Sequence, residues 1–255
     1  MSLLKDDAPA PPMAAAVLGM ALSLGALGAL SLGSGDFAFQ WQPVPPDAPA
    51  RGALALAAGG LELAAALMLV IPRLRRVGAW LAAVLLLGWV ALHVPSVVQR
   101  PASVADWLGV AETAAMASAA LMLAAAWSGM AAAPAVVRGA TVAFGLACIV
   151  FGVSHFVYAD FTASMIPAWL PQRVPLAWFT GAAHALAGVA ILGGVLRVLA
   201  ATLEAAMMLV FVALVHFPRV LAKPADRLEW TMLAVALLLA SSSAIVAATW
   251  RRRTA

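Results

Sequence analysis

The chain reads as an all-α membrane protein: eight transmembrane helices arranged as two parallel-oriented four-helix repeats. Three observations carry that reading. Of 255 residues, 65% are hydrophobic and only 10% charged, against about 25% charged in an ordinary soluble domain. Apolar runs close to the ~20 residues needed to cross hydrocarbon recur from one end of the chain to the other. The second half also repeats landmarks of the first at a nearly constant spacing.

Taken in order, residues 1–12 form a polar tail with Lys5, Asp6 and Asp7, and the first predicted span covers 13–33. The tail and first run mimic a signal peptide, but the two aspartates spoil its basic end and no clean cleavage site precedes a soluble domain. Further spans are predicted over 52–71, 77–94, 106–128, 139–158, 176–196, 199–218 and 228–250. Prolines gather in the connections, at Pro43, Pro45, Pro46 and Pro49 and again at Pro167, Pro171 and Pro175, where no helical hydrogen bond is lost. The link around Arg197 is the shortest.

An even number of spans puts both termini on one side. That side holds Lys5, Arg138, Arg197, the Arg73–Arg76 cluster and the C-terminal triplet Arg251, Arg252 and Arg253. The opposite side has fewer basic residues: Arg51, Arg100, Arg173, Arg219, Lys223 and Arg227. The excess favours cytoplasmic termini by the positive-inside rule. The formal charge of +4 is scattered between apolar runs, so it forms no phosphate-binding stripe and nucleic acid is excluded as a partner. The bilayer is the partner that composition demands. Trp107, Trp127, Trp169, Trp178, Trp230 and Trp250 fall near predicted span ends, as an interfacial belt requires.

The internal duplication is the sharpest signal. His93, Pro95, Val97, Pro101, Ala102 and Trp107 recur as His216, Pro218, Val220, Pro224, Ala225 and Trp230, all displaced by 123 positions. Arg100 and Asp106 are answered by Lys223 and Glu229, and Asp36-Phe37 by Asp160-Phe161. Single-residue gaps then bring Glu62 opposite His184. The repeats are 13–128 and 139–250. Four spans per copy is an even number, so both insert the same way up, related by an axis along the membrane normal.

The second copy carries Phe144-Gly145, then Gly152-Val153-Ser154-His155-Phe156, then Met165-Ile166-Pro167-Ala168-Trp169-Leu170-Pro171. A small-residue helix with Gly181 and His184 follows, then the motif from His216 to Trp230. Over 139–248 this resembles the DoxX-like family of small four-helix bacterial membrane proteins. The first copy departs from the pattern: Ser31 stands where His155 stands, and its loop lacks the Ala-Trp-Leu-Pro run. The resemblance implies a bacterial inner membrane location. Some members of that family resemble the membrane subunit of thiosulfate:quinone oxidoreductases, others accompany oxidative-stress or thiol-redox systems, and many have no assigned activity. A quinone and a soluble or membrane redox partner are what the redox resemblance would supply.

Ionisable groups inside spans are costly, on the order of 2.5–3.5 kcal/mol each, so each is a functional candidate. They are His93, His155, His184, His216, Glu62, Glu112 and Glu204. Helix rise puts all but Glu204 in the half of the membrane away from the termini. One reading is a polar pocket opening outward in which His155, His184 and His216 converge. Neutral imidazoles there could hydrogen-bond a quinone carbonyl, ligate a metal or pass a proton. The structural alternatives are equally concrete. His93 and His216 sit beside prolines at predicted helix ends, where a ring can donate to a free carbonyl. His155 and His184 can simply glue spans together, Glu62 and Glu112 can snorkel or bond in protonated form, and Glu204 can pair with Arg197. Tyr158 and Asp160 are expected to cap the fifth span.

Other chemistry finds little support. Cys148 is the sole cysteine, which excludes a dithiol relay and leaves it a packing residue. No protease, hydrolase or nucleotide-binding motif occurs, and no metal-ligand spacing is present. Two histidines on different helices could hold a b-type haem. Small residues at Ala57, Ala58, Gly59 and Gly60 and at Gly181, Ala182, Ala183 and Gly188 read as close helix packing. Three functions follow: a redox-associated, quinone-linked subunit, a small-molecule or lipid transporter, and a scaffold without chemistry.

Overall fold

A backbone surrounded by lipid must satisfy its own hydrogen bonds, and an uninterrupted helix does so within one segment. The computed structural model describes residues 11–254, and all its long elements are helices. In chain order they are α1 (Pro11–Ser34), α2 (Arg51–Val70), α3 (Arg75–Gln99), α4 (Val104–Ser128), α5 (Ala133–Val157), the short α6 (Ala159–Met165), α7 (Arg173–Gly193), α8 (Arg197–Phe211), the short α9 (Phe217–Ala222) and α10 (Arg227–Thr254). A π-helical turn, Val212–His216, joins α8 to α9. Together these give eight helices long and apolar enough to cross a membrane, the seventh running continuously over Arg197–Ala222. The predicted tail lies almost entirely outside the described residues, and Lys5 with it.

Hydroxyl groups inside the spans are absorbed locally. Ser23 donates to the carbonyl of Gly19 at 2.9 Å, Thr113 to Gly109 at 2.8 Å and Ser242 to Leu238 at 2.8 Å. Each is the one-turn-back bond by which Ser and Thr avoid an orphaned donor in a helix. The helix ends use equally local devices. Ser103 caps α4 by accepting from the backbone N–H of Asp106, and Gly129 leaves the same helix at φ +59°.

Helices adjacent in sequence pack in order, α1–α2–α3–α4 and α5–α7–α8–α10. The ring closes through α4 against α5 and α10 against α1, while α4 and α10 touch across the middle and are the most enclosed spans. Helix contact is closest where glycines face each other, which is how membrane helices gain van der Waals contact. A methyl group on Gly28 would lie 2.6 Å from the carbonyl oxygen of Gly59, and one on Gly152 would lie 2.6 Å from that of Gly181. The small residues of α2 and α7 therefore mark packing faces, although Gly60 looks into open space.

Several local features recur at corresponding positions. Trp107 donates to the carbonyl of Pro101 at 2.9 Å, and Trp230 to that of Pro224 at 3.0 Å. Ala50 and Gln172, the residues immediately before α2 and α7, both adopt the left-handed conformation.

Three expectations about helix ends need correction. The third span does not stop at Val94 but passes Pro95 and ends at Gln99. The seventh likewise passes His216 and Pro218, the π turn taking up the irregularity that a proline imposes on the ladder. Asp160 does not cap the fifth span: it lies in the first turn of α6, and Tyr158 ends α5 by a backbone bond to Ser154.

Candidate functional site

In the second half, α7 and α8 form a tight antiparallel pair turning at Gly194, which takes φ +75°. His184 and Glu204 lie equally far before and after that glycine, so the hairpin sets them face to face. The His184 Nδ1 is 2.7 Å from Glu204 Oε1, and their side chains are only 2% and 1% exposed. This corrects the expectation that Glu204 pairs with Arg197 near the membrane surface. Arg197 instead donates to the carbonyl of Ile191 at 2.9 Å and lies over the Trp250 ring at 4.0 Å.

His155 completes the cluster from α5, its ring centroid 4.9 Å from that of His184. Its Nδ1 lies 2.8 Å from the carbonyl oxygen of Phe151. Phe151 and Phe211 enclose the two imidazoles, with centroids 5.6 Å and 6.0 Å from the His184 ring. The close approach of Gly152 to Gly181 is what admits this geometry, since a methyl on Gly181 would fall 2.7 Å from the His155 Cβ. Among the described residues the hydrogen bonds of His155 and His184 are made through Nδ1, and their Nε2 atoms make none. Glu204 Oε2 is buried without one.

His216 does not join this group. Its charged neighbours are Arg219 and Glu229, and its Nδ1 is buried without a partner. Arg219 grips Glu229 through two bonds of 2.7 and 2.8 Å, a fork-on-carboxylate pair at the end of the bundle. The carbonyl bonds expected for His93 and His216 are not made, because neither helix ends there to free a carbonyl.

The first half holds a different polar cluster. The connection after α1 turns back into the bundle, burying Phe37, Trp41 and Gln42. Gln42 donates to Glu62 Oε1 at 2.5 Å and Trp41 donates to Glu112 Oε2 at 2.7 Å. Glu62 therefore does not snorkel: it lies midway along α2, 1% exposed, with Oε2 unpartnered. His93 packs on Gly109 of α4 and leaves Nε2 buried and unpartnered, while Trp89 one turn earlier faces Glu62. His184 occupies the middle of α7 as Glu62 does of α2, so neither lies close to a membrane face.

Among the described residues no three His, Cys, Asp or Glu side chains are grouped to hold a metal. Cys148 is buried and free. Sequence reasoning missed Trp41, Gln42 and Phe211 altogether, and it misplaced Glu204. A signal existed for Glu204, since it and His184 are equidistant from the turn glycine. Trp41 and Gln42 sit in a proline-rich connection whose inward fold no periodicity announces.

Eight apolar spans make this an integral, multi-pass membrane protein. Compared with protein-family models, with curated proteins and with solved structures, the chain matches none.

Proposed function

We propose that the chain is the quinone-binding membrane subunit of a redox system, of the DoxX-like kind, in a bacterial inner membrane with both termini in the cytoplasm. The observation that carries this reading is the buried His155–His184–Glu204 cluster between two phenylalanines. A carboxylate that accepts from Nδ1 orients the imidazole and leaves Nε2 as the working atom. With His184 protonated, Nε2–H donates to a quinone carbonyl. On reduction by two electrons that proton passes to one quinol oxygen, a second proton reaches the other oxygen from solvent, and His184 recovers its own proton from solvent. The aromatic walls suit a flat ring. The two electrons come from a partner subunit, since a lone thiol supplies no redox pair.

Purified protein, extracted with organic solvent and scanned optically, tests the reading. It predicts co-purifying quinone that is lost in His184→Gln, a variant that keeps a donor to Glu204 but cannot carry the proton. Quinone-free wild-type protein that also fails to bind added quinone overturns it. A transporter is the second reading. Glu62 favours it, a mid-span carboxylate at the position that answers His184 in the other half.

A further inference from the structure

Asp160 and Arg173 face an open crevice of about 540 Å³ where α5 passes into α6 and α7 begins. Ser164, Gln172 and Pro175 complete its wall. Neither charged side chain makes a hydrogen bond or an ion pair among the described residues. The positions that answer them in the first half behave differently. Asp36 pairs directly with Arg51, Arg227 adds a second contact to Asp36 at 3.7 Å, and the inward-turned connection fills the space between. In the second half the equivalent connection is the helix α6, which lies on the outside with Phe161 66% exposed.

Two opposite charges on one wall, close enough to share a crevice yet unpaired, are complementary to a ligand that carries both signs. The volume falls within the range of about 300–1,000 Å³ typical of small-ligand sites. Its place at the span ends is the depth of lipid head groups, and Trp169, exposed in the connection between α6 and α7, is of the kind that settles at that depth. An Arg fork matches a phosphate, and Asp160 supplies the acceptor for an ammonium group two carbons away from it. We infer that this crevice binds a phosphoethanolamine head group, with phosphate on Arg173 and ammonium on Asp160. The site is separate from the histidine cluster and does not depend on what that cluster binds.

Native mass spectrometry of the full chain released from vesicles of equal phosphatidylethanolamine and phosphatidylglycerol tests this. The wild type should retain the ethanolamine lipid preferentially. Arg173→Gln should lower its retention about tenfold, the loss of one charge-assisted bond, whereas Asp160→Asn should erase the preference between the two lipids. Arg173→Lys should keep binding, and circular dichroism of every variant separates lost ligand from lost fold. Thermal protection by free phosphoethanolamine in lipid-free detergent would assign a soluble source for the same chemistry, and its absence beside lipid retention assigns the lipid. Equal retention of both lipids by the wild type, or unchanged preference in both charge-removing variants, overturns the inference.

Discussion

His184 and Glu204 meet 2.7 Å apart in the middle of the α7–α8 hairpin, each almost wholly enclosed by protein. In that setting an acid and a base protect each other from the cost of burial, so removing either is worse than removing both. Replacing His184 with leucine should cost about 3–5 kcal/mol, because Glu204 is left uncompensated. The double replacement of His184 and Glu204 by leucine should recover most of that loss. Thermal unfolding in detergent reads both, and equal damage in the single and double variants would show that the two residues are not coupled.

The glycine contacts make a second prediction. Gly152→Val places side-chain atoms against the Gly181 carbonyl and should destabilise by about 1–3 kcal/mol through overpacking. It should also push α5 off α7 and so separate His155 from His184. Gly60→Ala is the control, because no atom of a neighbouring helix lies within 4 Å of the position a methyl would take. Similar melting temperatures for the two variants would contradict the packing account.

The inward connection of the first half should be held by its two polar anchors. Gln42→Leu removes the donor to Glu62 and should cost about 1–3 kcal/mol, the usual penalty for orphaning a buried acceptor. Trp41→Phe should act similarly on Glu112. Cysteine-reactive probes at a substituted Ala38, 4% exposed here, should label faster in Gln42→Leu than in the parent. Unchanged labelling argues that the segment is held by its apolar contacts alone.

Topology is directly testable. Reporter fusions at Arg138 and after Ala255 should both register the cytoplasm, as the basic excess on that side requires. A periplasmic signal at either site refutes the orientation.

Residues 13–128 should superpose on 139–250 by rotation about the membrane normal, bringing His93 onto His216 and Trp107 onto Trp230, as cryo-electron microscopy of the protein in a lipid nanodisc would read. The matched indole bonds to Pro101 and Pro224 and the matched left-handed residues Ala50 and Gln172 support that expectation. An inverted relation between the halves defeats it.

Composition and apolar run length by themselves determined that this is a helical, eight-span membrane protein. The reason is that a bilayer leaves a backbone almost no alternative to long helices. Of the small residues that read as packing positions, Gly59, Gly181 and Gly188 do meet a neighbouring helix, whereas Gly60 and exposed Ala57 do not. The pairing of polar groups was decided only by the tertiary structure. Glu204 was read against the nearest cation in sequence, Arg197, but the hairpin turn at Gly194 brings His184 to it instead. Depth groups His216 with the other histidines, yet depth says nothing of azimuth, and its charged neighbours are Arg219 and Glu229. Trp41 and Gln42 reach Glu112 and Glu62 because a connecting segment folds inward, and a loop's path is set by the helices it packs between rather than by any period in its own residues.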